Sequence, residues 1–155
     1  MTRMDRQEQR GFEDLECYKL ALKVFKEAYS VAERLPAIER YNLADQMRRS
    51  AASVTLNIAE GYGRYHYLDS LRFYYTARGS LSETLSAFIS CEAVGYIEQT
   101  ELTRLRQLAH SALRSLNGFV RYIRKQQQGH KEYGNRLVRE DPPGYIIAPD
   151  DLEAD

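Results

Sequence analysis

Residues 48–64 read Arg-Arg-Ser-Ala-Ala-Ser-Val-Thr-Leu-Asn-Ile-Ala-Glu-Gly-Tyr-Gly-Arg, and their spacing decides the fold. With Met47, residues Ala51, Val54 and Ile58 form one apolar stripe, while Ala52, Leu56, Ala59 and Gly63 form a second. Side chains three and four residues apart share one face of an α-helix. Two such stripes predict a helix covered on two sides, as an inner member of a bundle is. Gly61 and Gly63 end the pattern and supply the permissive backbone a helix C-cap uses, with Arg64 placed to offset the negative end of the helix dipole. The predicted helix spans 40–62.

Working outward, Leu15, Tyr18, Leu22, Phe25, Tyr29 and Ala32 predict a helix over 13–34, with Val24, Ala28, Val31 and Leu35 widening its stripe. Pro36 stops it, because proline lacks an amide donor and pushes the preceding residue out of helical geometry. Leu71, Tyr74, Leu81, Leu85 and Phe88, flanked by Phe73, Ala77 and Ile89, predict a third helix over 68–94, with Asp69 in its first turn where negative charge is favourable. Gly79 and Ser80 interrupt its bulky residues, and the small alanine face of the second helix is the expected packing partner. Gly95 closes this helix, and Glu98 or Thr100 opens a fourth. There Leu102, Leu105, Ala109, Ala112, Leu116, Phe119 and Ile123 alternate spacings of three and four, the seam of a coiled coil.

Short connections make consecutive helices antiparallel neighbours. The expected fold is all-α: an antiparallel up-down-up-down four-helix bundle over 12–128, between a flexible segment 1–11 and a flexible acidic tail 129–155. In that tail Asp141-Pro142-Pro143-Gly144 forbids regular structure, and Tyr145, Ile146 and Ile147 form an apolar cluster suited to docking on a neighbouring subunit or partner.

The chain of 155 residues fits one domain with a real core. Its formal charge is zero but unevenly spread: residues 1–130 carry 19 Lys plus Arg against 15 Asp plus Glu, whereas 131–155 carry 3 against 7. A mildly basic body is compatible with nucleic-acid contact without requiring it. The charged opening MTRMDRQEQR has no apolar core of the kind a secretory signal needs, and no later window is apolar enough for a bilayer, so a cytoplasmic protein without membrane contact is expected. Cys17 and Cys91 stand alone inside helical patterns and read as reduced, partly buried thiols.

No catalytic constellation is visible, and no enzyme is expected. A di-metal bundle site needs Glu-x-x-His on two helices, and the chain contains none, so neither metal nor cofactor is expected. Asn57 and Glu60, beside Arg49, Ser53 and Arg64, suit a hydrogen-bonded network at a helix or subunit contact, with Gly61, Gly63, Gly79 and Ser80 allowing close approach. Such a network also suits ligand or nucleic-acid contact. Arg48, Arg49, Arg64, Arg72, Arg78, Arg121, Arg124 and Lys125 are candidate phosphate contacts, with Tyr62, Tyr65 and Tyr67 as stacking faces for unpaired bases. The same residues also read as ordinary solvated arginines and core or interface tyrosines.

Five elements in order point further: Phe12-x-Asp14-Leu15; Tyr41-x-Leu43-x-x-Gln46-x-Arg48-Arg49-x-Ala51; Asn57-Ile58-Ala59-Glu60-Gly61-x-Gly63-Arg64; Gly79-Ser80-Leu81-x-Glu83; and Gly95-Tyr96-Ile97. Together they resemble the 23S rRNA-intervening-sequence protein family over residues 12–125. Two features depart from it: Thr55 stands where many relatives carry proline, and the acidic tail is not part of the family pattern. The resemblance implies a four-helix bundle without enzymatic activity that self-associates, with a homopentamer as the expected assembly. More distantly, it resembles accessory proteins of diversity-generating retroelements, which implies RNA or DNA and a reverse transcriptase, or another protein, as partners. The functional expectation is a non-catalytic oligomeric accessory factor that touches nucleic acid through repeated basic patches. The alternative is a structural or protein-interaction scaffold.

Overall fold

A computed structural model describes residues 11–135. Four long helices account for most of it: α1 (Glu16–Arg34), α2 (Leu43–Tyr62), α3 (Tyr67–Ala93) and α4 (Gln99–Gln126), followed by a single turn, α5 (His130–Tyr133). Tight turns at Phe12–Asp14 and Ala37–Glu39 precede α1 and α2, so both helices start about three residues later than the periodicity predicts. Pro36 ends α1 as expected, with Leu35 and Pro36 both in extended geometry.

Each long helix packs on two neighbours in the cyclic order α1-α2-α3-α4, and the diagonal pairs barely meet. Side-chain pairings run in opposite senses between α1 and α4, between α2 and α3, and between α3 and α4, where Arg78 meets Asn117 beyond Tyr74, and α1 and α2 are antiparallel in consequence. Arg104 meets Glu27 and Arg34 meets Glu101 between α1 and α4, Gln46 meets Glu83 and Gly61 meets Tyr74 between α2 and α3, and Tyr74 meets Phe119 between α3 and α4. The helices are therefore antiparallel, and the chain turns at two opposite ends.

The core is built from Met47, Ala51, Val54 and Ile58 of α2, all at most 1% exposed, against Leu71, Tyr74, Ala77, Leu81 and Phe88 of α3. On α1 the most deeply buried line is Cys17, Ala21, Val24, Ala28 and Val31, not the bulkier Leu22 and Tyr29. Small residues at the centre let the helix axes approach, and large ones at the edges close the flanks. Burial pushes the Cys17 and Cys91 thiols up to about 11, which keeps them protonated and inert. The α4 seam is buried from Leu102 through Leu116. It then moves to Val120, leaving Phe119 and Ile123 half-buried.

The second stripe of α2 is not covered within the chain. Leu56 is 67% exposed, Gly63 is exposed, and Ala52 and Ala59 are half-buried. The expectation of an inner helix fails on that side, because two neighbours in a ring of four cover only one broad face. Thr55 turns its hydroxyl to the Ala52 carbonyl at 3.0 Å, closing the backbone locally.

Residues 129–135, expected as the start of a flexible tail, instead form α5 and its flanking turns. Gly129 at φ +80° admits the reversal, and Gln127 takes a left-handed C-cap at φ +48°. Residues 1–10 and 136–155, including Tyr145, Ile146 and Ile147, lie outside the described residues. Among the described residues no helix is long and apolar enough to cross a membrane.

Candidate nucleic-acid interface

One end of the bundle is made by the start of α1, the α2–α3 turn and the last turns of α4. Gly61 brings the first two helices of that turn together. A Cβ there would lie 2.6 Å from Tyr74 Cε1 and 3.0 Å from the Ser70 carbonyl oxygen, so only glycine lets α2 lie against α3. Gly61 thus serves close packing inside the helix, whereas Gly63 is the C-cap, its amide donating to the Ala59 and Glu60 carbonyls at 3.1 Å each. The Ser70 hydroxyl donates back to the Arg64 carbonyl at 3.1 Å, and the Tyr67 amide donates to the Gln128 carbonyl at 3.0 Å, which fixes α4's exit to the turn.

These constraints leave a cavity of about 750 Å³. Its walls are mostly aromatic: Tyr62 and Tyr74 on one side, Phe119 and Tyr122 on the other, with Ile123 between. Tyr74 meets Phe119 edge-on at 5.1 Å, and Phe119 lies parallel to Tyr122 at 6.2 Å. The mouth is wet. Tyr62, Tyr65 and Tyr122 are 42%, 49% and 54% exposed. Tyr67 differs from the expectation of a stacking face: it is buried, its ring 5.2 Å from His66 and 6.4 Å from His130. Tyr65 donates its hydroxyl to Glu132 at 3.2 Å, and that carboxylate raises the phenol pKa by favouring the neutral form.

The structure divides the candidate cations into two regions. Arg48 and Arg49 lie on α2 some 16 and 15 residues before Arg64, which at helical rise is about 23 Å away along the axis. Arg48 reaches the Arg40 carbonyl at 3.4 Å beside a separate cavity, and Arg49 pairs with Asp45 at 3.1 Å. At the aromatic end Arg64 lines the cavity, Arg72 and Arg124 line a separate pocket with Leu68, Leu71 and Tyr75, Arg121 and Lys125 lie on the same last turns of α4, and Arg78 is farther along α3. Arg64 pairs with Glu60, and its Nε lies 3.7 Å from Asp69, a carboxylate only 1% exposed. Arg72 takes the other Asp69 oxygen at 2.8 Å, and both guanidinium groups lie over Phe73. Arg78 covers Tyr75 at 5.0 Å and donates to Asn117 at 3.4 Å. These three arginines hold the fold together. Arg121, Arg124 and Lys125 are exposed on the last turns of α4, and among the described residues none is paired with a carboxylate.

The polar network of α2 is a seam of hydroxyls. Ser53 and Ser80 are 2.7 Å apart, Thr84 donates to Ser50 at 2.9 Å, and Asn57 donates to the Ser53 carbonyl at 2.7 Å. Ser80 therefore packs as expected, but Gly79 does not: a Cβ there meets nothing within 4 Å. Its small size answers no neighbour in this chain. Sequence reasoning missed the α4 wall, where Tyr122, Gln126 and Gln128 line the cavity, and it missed His66, which is 1% exposed under α5. The spacing of Asp69 to Arg72, an i,i+3 pair, was the available signal for the buried ion pair. No local pattern announces a wall formed where a seam outruns one partner.

Among the described residues no three His, Cys, Asp or Glu side chains gather as a metal site. Comparison with curated proteins gives no match. Residues 13–118 match the model of the 23S rRNA-intervening sequence protein family, and the chain belongs to that family.

Proposed function

We propose that this protein is a non-catalytic accessory factor that binds single-stranded segments of RNA or DNA at the aromatic end of its bundle. The observation that carries the reading is the coincidence, at that one end, of exposed Tyr62, Tyr65 and Tyr122 with Arg121, Arg124 and Lys125. Aromatic rings stack on any base, and cations neutralise phosphates without reading sequence, so the site suits an unpaired strand. Contact is electrostatic and shape-based. The family's link to rRNA genes, and the more distant resemblance to retroelement accessory proteins, favour RNA or a reverse-transcriptase complex as its setting. Titration with structured RNA and single-stranded DNA at several salt concentrations tests this. Binding that weakens steeply with salt supports it, and no binding at low salt refutes it.

A second reading is favoured by the uncovered stripe of α2. Leu56 at 67% exposure, beside Ala52, Ala59 and Gly63, forms a small-residue face suited to a second copy of the chain. On this reading the protein is a homo-oligomeric scaffold, with the pentamer of the family resemblance as its form. The two readings are compatible, because a ring repeats each weak site and raises avidity. Sedimentation at micromolar concentration decides the assembly: a monomer would defeat it.

A further inference from the structure

We propose that a second pocket at the aromatic end binds a single nucleotide unit, with its phosphate between Arg72 and Arg124 and its base on Tyr75. The pocket measures about 460 Å³, within the range of small-molecule sites, and lies between the first turns of α3 and the last turns of α4. Leu68, Leu71, Arg72 and Tyr75 recur at intervals of three and four and so share one face of α3, while Arg124 and Gln127 supply the facing side from α4. Arg121 and Lys125, on the same turns as Arg124, do not line it.

Three features fit these residues to a phosphate and a base. The first is how Arg72 is held. Its Nη1 donates at 2.8 Å to Asp69, which is 1% exposed, while Arg72 itself stays 42% exposed, and its guanidinium lies 5.8 Å from the Phe73 ring. A guanidinium carries five N–H donors, so a carboxylate that takes one of them orients the others without using them up. Asp69 offsets one of the two arginine charges, and the pocket keeps one net positive charge for a phosphate. The N-terminus of α3 opens on the same pocket and adds the positive end of a 27-residue helix.

The second feature is Tyr75. Arg78 lies over its ring at 5.0 Å, and Tyr75 remains 38% exposed. A ring held in place at the edge of a pocket loses little freedom when a base stacks on it. The third is the backbone of Gln127, the one non-glycine among the described residues with left-handed geometry, at φ +48°. Glycine takes that conformation without strain, whereas glutamine brings to the pocket a carboxamide that both donates and accepts, as a base edge requires. Tyr67 borders this pocket and the aromatic cavity alike, so an unpaired strand can set one nucleotide in each. The nucleotide site stands on this pocket alone, while its use by a strand rests on the function proposed above.

The test titrates the full chain at low salt with adenosine monophosphate, adenosine and inorganic phosphate, following backbone amide shifts. Adenosine monophosphate should shift amides of 67–75 and 124–127 and bind about tenfold more tightly than either fragment. Arg124→Ala should weaken it about tenfold, and Tyr75→Leu should reduce its advantage over inorganic phosphate about fivefold, with unchanged helicity as the folding control. Arg106→Ala removes an equal charge about 27 Å back along α4 and should bind as the wild type does. Shifts confined to the aromatic cavity around Tyr62 and Tyr122, no shift at millimolar nucleotide, or an equal loss in Arg124→Ala and Arg106→Ala would each overturn the proposal. Oligouridylate that displaces the mononucleotide from these amides identifies a strand as the source of the unit. If the mononucleotide binds here but no RNA does, the pocket stands and the strand reading falls; RNA binding indifferent to Arg124→Ala, with no mononucleotide bound, does the reverse.

Discussion

The two ends of the bundle are closed by different chemistry. At the end where α1 meets the start of α4, paired charges close the surface: Arg104 grips both oxygens of Glu27 at 2.6 and 2.8 Å, Arg34 pairs with Glu101, and Tyr96 donates to Glu39 at 2.9 Å. At the opposite end Arg121, Arg124 and Lys125 of α4 pair with no carboxylate among the described residues, and a cavity of about 750 Å³ opens between aromatic rings. A charge matched at home is a structural part, and an unmatched charge beside stacking surface is available for a partner. The contrast shows why counting arginines along the sequence does not locate a site: Arg49, Arg64 and Arg72 are each committed to an acidic neighbour.

The largest test of that contrast is steric. Gly61→Val should destabilise the protein by about 3 kcal/mol, because a Cβ at 2.6 Å from Tyr74 forces the aromatic end apart. Gly79→Ala is the control and should be neutral or stabilising by up to about 1 kcal/mol, since its Cβ meets open space in mid-helix. Denaturant unfolding of both variants measures the pair, and a tolerated Gly61→Val would remove the packing account of the groove.

Next in size is the strap that α5 makes. Gly129→Ala should cost about 1–2 kcal/mol, because φ +80° is unfavourable for alanine and its Cβ would press on His66. The loss should be local, seen as faster exchange of the Tyr67 amide that donates to Gln128, with the opposite end unchanged.

The charged end predicts the smallest effect. The Arg104 hydrogen bonds hold the Glu27 carboxyl below its ordinary value of 4.5, so the ion pair contributes fully above that value and is lost as pH falls through the lower, folded one. Arg104 is 54% exposed, and solvent screening limits the pair to about 0.5 kcal/mol. Glu27→Gln should remove that contribution at neutral pH and flatten the acid side of the stability profile. An equal loss at pH 3 and pH 7 would show that the carboxylate's charge is not what matters.

Much of the fold was legible because helix periodicity is a local property. The α2 stripe from Met47 to Ile58 and the α4 seam from Leu102 to Leu116 are buried as their spacing requires. What was not legible depends on where helices stop relative to one another. Phe119 and Ile123 continue the seam in sequence, yet they line the cavity, because α3 still faces them through Tyr74 while α1 begins only at Glu16. His66 and Gly129, 63 positions apart, form one contact that neither segment signals alone. The family match over 13–118 likewise ends before Phe119, Tyr122 and the three α4 cations, so the groove's second wall lies beyond it.

The central claim is that the unmatched cations of the aromatic end hold a nucleic-acid strand. It is tested most directly by the salt dependence of single-stranded RNA binding for the wild type, for Arg121→Ala/Arg124→Ala/Lys125→Ala, and for Arg48→Ala/Arg49→Ala. Three lost phosphate contacts should lower the slope of log affinity against log salt by about 2, while the double variant should lie close to wild type. Equal slopes for the wild type and the triple variant, or an equal loss in both variants, would contradict the account.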